Sequence, residues 1–188
     1  MRNIRIGAAA LLLISMLTGG SFAADDVLKS GPQPGTDLGE SFDPFNVTGE
    51  HAGEKHCLVC ENGLNPVVMI FAREPSDAVM ALLRRVDAAT TDHYAAGLRS
   101  FVVFLSDKDG LDTQLAEAAQ KNALKHIVLS IDAPEGPDGY KVAKDAEVTV
   151  VLYVRHTVKA NYCFKAGQLT DGAIDKIIAD VPKILPSK

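Results

Sequence analysis

From Pro66 onward, apolar and polar positions alternate between two periods. Val67 to Ala72 is continuously apolar and β-branched at its start, the pattern of a strand buried on both faces. Pro75-Ser76-Asp77 then opens a helix, with Ser76 as N-cap and Asp77 suited to the positive end of the dipole. Val79, Met80, Leu82, Leu83 and Val86 recur at helical spacing, so the helix runs into the low nineties and ends before Gly97. Met80 in that stripe reads as core filler rather than a ligand. Phe101 to Leu105 predicts a second buried strand, stopped by the polar run Ser106 to Gly110. Leu111 to Leu124 predicts a helix with Leu111, Leu115, Ala118 and Ala119 inward, and Ile127 to Ile131 a third strand.

After a turn-rich loop, Asp132 to Gly139, the stretch Tyr140 to Lys144 reads as one helical turn. Val148 to Val154 and Thr157 to Phe164 are two strands joined by the two-residue turn Arg155-His156. Alternation on the second places Val158, Ala160, Tyr162 and Phe164 on one side, with Lys159, Asn161 and Cys163 on the other. Thr170 caps a last helix through Val181, with Ile174, Ile177, Ile178 and Val181 inward. The order β-α-β-α-β, hairpin, helix predicts parallel strands covered by helices, with a terminal hairpin that makes the sheet mixed.

Upstream of Pro66 the periodicity fades. Residues 24 to 65 are rich in Gly, Pro and Asp, and Ser30-Gly-Pro-Gln-Pro-Gly35 must turn. Ser41 to Thr48 is a short extended piece whose Phe42, Phe45 and Val47 can lean on a core. This region is expected to be an ordered arm wrapped over the domain. Its Asn46-Val47-Thr48 is formally a glycosylation sequon, read here as a chance occurrence.

The first 23 residues follow a different logic. Arg2 and Arg5 precede an apolar run from Ile6 to Leu17, and Ser21-Phe22-Ala23 ends on small residues where a signal peptidase cuts. The run is shorter than the roughly 20 apolar residues of a membrane-spanning helix. Cleavage near Ala23 is expected, leaving a secreted or periplasmic protein of about 165 residues, enough for one domain with a real core. The organisation is thus signal peptide 1–23, N-terminal arm 24–65, and main domain 66–188.

Removing Arg2 and Arg5 takes Lys+Arg from 19 to 17 against 24 acids, a net charge of about −7. No basic patch survives, which argues against nucleic acid as a partner, and after signal cleavage nothing points to a membrane.

The element order resembles the thioredoxin fold, in the longer form of peroxiredoxins and the thiol-specific antioxidant group. The resemblance spans Pro66 to Leu185. Leu115-Ala-Glu-Ala-Ala-Gln-Lys-Asn-Ala-Leu124 followed by Ile127-Val-Leu-Ser-Ile-Asp132 is similar to that group's helix-then-strand insert, and Leu28-Lys-Ser-Gly-Pro-Gln-Pro-Gly35 to its opening segment. It implies a three-layer α/β/α fold with a mixed sheet of about five strands. It also implies a reactive cysteine in the turn after the first core strand, where a helix N-terminus favours the thiolate. Here that turn is Arg73-Glu74-Pro75-Ser76-Asp77-Ala78, without cysteine, and Val148 stands where the family's cis-proline would be.

The thiols lie elsewhere. His56-Cys57-Leu58-Val59-Cys60-Glu61 carries a Cys-x-x-Cys before the first core strand, at its opposite end. Three readings stand open: a redox dithiol favoured by His56 and His51, a structural disulfide clipping the loop, and a metal site using Cys57 and Cys60 with His51 or His56. Covalent haem attachment is excluded because Glu61, not histidine, follows Cys60. The leading reading is an exported thiol–disulfide oxidoreductase in which Cys57 attacks and Cys60 resolves, acting on a protein thiol or disulfide. The alternative is a non-catalytic binding or structural protein. No cofactor and no resident metal is implied by the sequence. Cys163 reads as a small hydrophobe, His93, His126 and His156 as solvated surface groups, and Asp107, Asp109 and Asp112 as a polar turn.

Overall fold

The computed structural model describes residues 28–186; the segment read as a signal peptide lies outside them. Its centre is β2 (Val67–Ala72), buried at all six positions because a layer covers each face of the sheet. β3 (Arg99–Leu105) lies parallel to β2, and β4 (Ile127–Asp132) lies parallel to β3. On the other side β5 (Val148–Val154) runs antiparallel to β2, with β6 (Thr157–Phe164) antiparallel to it. The arm adds a sixth strand that the pattern did not show, β1 (Phe45–Asn46), antiparallel to β4. The order is β1-β4-β3-β2-β5-β6. Two residues are too few to carry a period, yet they cover the exposed edge of β4.

Helices α2 (Asp77–Asp92), α3 (Leu111–Lys121) and α4 (Asp171–Asp180) all pack on one face. The chain steps from β2 to β3 to β4 in one direction, and successive right-handed crossovers put α2 and α3 on the same side. Ser76 caps α2 as expected, its Oγ accepting the Val79 N–H at 3.4 Å. Thr170 caps α4 in the same way through the Ala173 N–H. Buried Asp87 near the end of α2 accepts backbone N–H groups from Lys125 (3.1 Å), His126 (2.7 Å) and Ile127 (2.9 Å), fastening the start of β4 to α2. Among the described residues no helix is long and apolar enough to cross a membrane.

The opposite face is covered mainly by irregular chain. Leu38 and Phe42 of the arm, Tyr140 and Val142 of the β4–β5 connection, and α1 (Leu58–Asn62) pack on Met69, Phe71, Phe101 and Tyr153. The helical turn expected at Tyr140 to Lys144 is absent, and Lys141 takes a positive φ of 54°. The Arg73 guanidinium replaces it as the organiser of this connection, donating to the carbonyls of Pro134, Ala143 and Ala146. One side chain thereby satisfies backbone acceptors that a helix would have paired.

A bulge on β6 corrects the predicted alternation. Leu152 pairs with Ala160 but Tyr153 with Val158, leaving Lys159 over. The extra residue turns Val158 to the arm-covered face, while Ala160, Tyr162 and Phe164 face the helices. The arm is bonded to that same region. Ser30 Oγ lies 2.6 Å from Thr149 Oγ1, and Asn161 Nδ2 donates to the carbonyls of Ser30 and Pro32. Gly31 is needed here: its φ is +73°, and a Cβ would meet Thr149 Cγ2 at 3.0 Å. Further along, Gly35, Thr36 and Leu38 exchange backbone hydrogen bonds with Val158 and His156.

Candidate functional site

Cys57 and Cys60 are joined in a disulfide with Cα atoms 5.3 Å apart. They do not sit on a simple loop: Cys57 is the N-cap of α1, in an extended conformation, and Gly63 ends the helix with its N–H on the Val59 carbonyl. Leu58 and Val59 are buried and drive α1 into the apolar face, taking Cys57 with them. Cys57 is only 8% exposed, whereas Cys60, one turn on, is exposed. The Cys60 N–H donates to the Cys57 sulfur at 3.1 Å.

The pair lies at the N-terminal end of β2, and the thioredoxin-type turn lies at the other. Six strand residues separate them, roughly 20 Å at about 3.3 Å per residue. That far edge holds a cavity of about 580 Å³ lined by Arg73, Ser76, Asp107, Lys108, Glu135 and Lys144, with no thiol among its lining residues. Ser76 there is engaged in capping, and Val148, in the place of the family's proline, pairs with Ala72 and Phe164.

Beside Cys60 is a second cavity, about 440 Å³, lined by Leu38 and Val59 with Asp37, Arg155 and His156. Arg155 and His156 form the β5–β6 turn with φ of 51° and 61°. Both are left-handed, which a two-residue hairpin requires but side chains other than Asn, Asp or Gly resist. From sequence, His156 reads as a solvated group and Arg155 only as its partner in the turn, and Asp37 and Leu38 carry no signal. The available signal was Arg-His at a turn where Asn-Gly is the low-strain choice.

His51 and His56 stack with ring centroids 3.6 Å apart, and Glu61 comes within 3.3 Å of His56 Nε2. Among the described residues that buried nitrogen has no polar contact besides Glu61. The three residues offer two nitrogens and a carboxylate within 4.8 Å of one another. The sulfur ligands considered from sequence are bonded to each other here and offer no thiolates for a metal.

Other expected candidates separate. Cys163 is half-buried on β6 opposite Thr149, toward the far end of the sheet from the pair. Burial pushes its thiol pKa up, against smaller pulls from Ser30 and Lys165. Asn46 of the sequon is 0% exposed, so its amide offers no surface for a glycan. His126 packs against Tyr94.

No protein-family model and no curated protein sequence matches the chain. Solved structures do. A secreted Mycobacterium tuberculosis disulfide oxidoreductase superposes with a TM-score of 0.53 at 10% identity, over 76% of this chain and 95% of that one. A thiol peroxidase from Chromobacterium violaceum gives 0.58 at 17% identity, over 85% and 95%. A candidate protein disulfide isomerase from Bacteroides thetaiotaomicron gives 0.62 at 12% identity, over 84% and 94%. The chain therefore has a thioredoxin-like fold, with a Cys-x-x-Cys disulfide outside that fold's usual catalytic turn.

Proposed function

We propose that this protein is an exported thiol–disulfide oxidoreductase whose exchangeable bond is Cys57–Cys60. One observation carries the reading: the disulfide has one cysteine buried, its sulfur capped by an N–H, and the other exposed on a solvent-facing groove with Asp37, Arg155 and His156. Such asymmetry lets a partner thiol reach one sulfur while the protein holds the other. The protein dithiol and disulfide functions named for the similar structures agree with this reading, as does the signal-like N-terminus.

The test is the reduction potential of the mature protein, with turnover of insulin or a model disulfide. An exchange enzyme has a potential of about −120 to −270 mV. A potential well below roughly −300 mV, with no insulin reduction, leaves a structural clip. N-terminal sequencing of the exported product tests cleavage near Ala23.

The clip is the second reading, and burial of Cys57 among Leu58, Val59 and Val67 favours it. A disulfide there clips the first turn of α1, whose buried residues pack the arm against the sheet.

A further inference from the structure

The two sulfurs have unequal surroundings, and the inequality runs against the sequence-based assignment of roles. In α1 the N-cap residue faces the apolar layer because Leu58 and Val59 anchor that end of the helix. Cys60 is one turn on, beside the exposed Glu61, and lines the groove between the arm and the β5–β6 turn. A thiolate must approach a disulfide along the S–S axis, so the sulfur that is reachable decides which bond forms. Resting on the exchange reading above, we propose that Cys60 is the sulfur partner thiols enter. Cys57 is then the buried leaving and resolving sulfur, and Arg155 positions the incoming thiolate.

The groove beside Cys60 carries charge of both signs, and Arg155 is the group in it that can attract a thiolate. Asp37 is engaged by the Thr157 hydroxyl at 3.0 Å. Among the described residues Arg155 is in no ion pair and is the groove's permanent cation, while Asp37 keeps its negative charge under a neutral hydroxyl and exposed Glu61 adjoins Cys60. The Arg155-His156 backbone is held in its left-handed conformation from both sides. Val154 pairs with Thr157 across the turn, and the Leu38 N–H donates to the His156 carbonyl at 2.9 Å. Residues that resist this conformation and are held in it are candidates for a role besides the turn.

The exchange balances as follows. A thiolate of a cysteine-bearing protein partner attacks Cys60 Sγ. The Cys57–Cys60 bond breaks, and its electron pair leaves on Cys57, where the Cys60 N–H already donates to the sulfur. A second partner thiolate attacks the partner sulfur of the mixed disulfide and releases Cys60 as thiolate. The partner dithiol is oxidised to a disulfide by two electrons, and Cys57 and Cys60 are reduced. Run in reverse, the Cys60 thiolate attacks a partner disulfide and Cys57 resolves.

Single-thiol variants in a Cys163→Ser background test the assignment, with 5,5′-dithiobis(2-nitrobenzoate) as the probe. Cys57→Ser, which keeps Cys60, is expected to form the mixed disulfide at least tenfold faster than Cys60→Ser, which keeps Cys57. Equal rates, or faster reaction of Cys60→Ser, overturn the role assignment and leave the exchange reading standing. If neither thiol reacts and the wild-type potential is that of a structural bond, the exchange reading itself fails. Arg155→Gln is expected to slow the Cys60 reaction several-fold and flatten its salt dependence, with Arg155→Lys restoring both; unchanged rates and salt dependence remove Arg155 from the proposal. Should a serine variant not fold, brief reduction of the wild type and trapping with iodoacetamide gives the same answer. Mass spectrometry then finds the label on Cys60 ahead of Cys57, and the opposite order overturns the proposal.

Discussion

The backbone N–H of Cys60 donates to the sulfur of Cys57 across 3.1 Å, inside a disulfide that the same two residues close. The contact comes from helix capping: Cys57 takes the N-cap position that Ser, Thr or Asp usually fills, and its sulfur accepts the N3 N–H. The arrangement does not depend on the S–S bond alone, since cap and helix are also held by buried Leu58 and Val59.

Reduction should therefore leave the fold intact. Closing so short a loop constrains the unfolded chain little, about 2 kcal/mol on the chain-entropy account. For a domain of this size that is a fall in Tm of roughly 4–8 °C. Thermal scans with and without a phosphine reductant measure it. Loss of the cooperative transition on reduction would favour the clip over the exchange reading.

The Arg155-His156 turn makes a prediction of the opposite sign for stability and reactivity. Replacing both residues with Asn-Gly removes two strained left-handed residues and should stabilise the protein by about 1–2 kcal/mol in urea unfolding. The same change should slow mixed-disulfide formation at Cys60, because the groove loses its cation. Faster folding kinetics are not required; a rise in the urea midpoint with slower thiol exchange is the expected pair of results.

Asp87 should be a large single contributor to stability away from the groove. Its carboxylate accepts the N–H groups of Lys125, His126 and Ile127 in a buried setting. Asp87→Ala leaves those donors unpaired and should cost about 2–4 kcal/mol. Asp87→Asn keeps one acceptor oxygen and should cost roughly half as much. Urea denaturation of the two variants gives both numbers.

Alkaline pH should unfold the protein through its buried tyrosines. Burial pushes the Tyr140 hydroxyl pKa up to about 12 and that of Tyr153 higher, the latter aided by its neighbour Tyr140. An unfolded tyrosine titrates near 10. A raised folded pKa means the contribution to stability is complete below about pH 10 and declines as pH rises toward 12, because the unfolded chain releases protons that the folded one retains. Tyrosinate absorbance at 295 nm should rise together with loss of structure. Among the described residues neither hydroxyl has a hydrogen-bond partner, so Tyr140→Phe should change neutral-pH stability by less than about 1 kcal/mol and raise the alkaline midpoint.

Much of the fold was legible because local pattern and tertiary burial agree in it. Continuous apolar runs at Val67 to Ala72 and Phe101 to Leu105, and the stripe from Val79 to Val86, are buried in the structure along those lines. Ser76 and Thr170 cap helices because their short oxygen side chains satisfy N–H groups that any helix start leaves open. The two-residue turn at Arg155-His156 follows from the spacing of two apolar runs.

What lacked a local signal was decided in three dimensions. The strand Phe45–Asn46 exists because the edge of β4 offers partners. The stretch Tyr140 to Lys144 is irregular because Arg73, distant in sequence, takes its neighbours' carbonyls. Val158 changes face because one extra residue, Lys159, is left unpaired against β5. The candidate site divides in the same way. Sequence spacing alone brings Cys57 and Cys60 together on one turn and separates them from the turn at Arg73 to Ala78. Which sulfur faces water depends on where Leu58 and Val59 find a core, and which side chains stand beside it depends on the arm meeting the tip of the β5–β6 hairpin. Both are contacts between segments far apart in the chain, which no local period encodes.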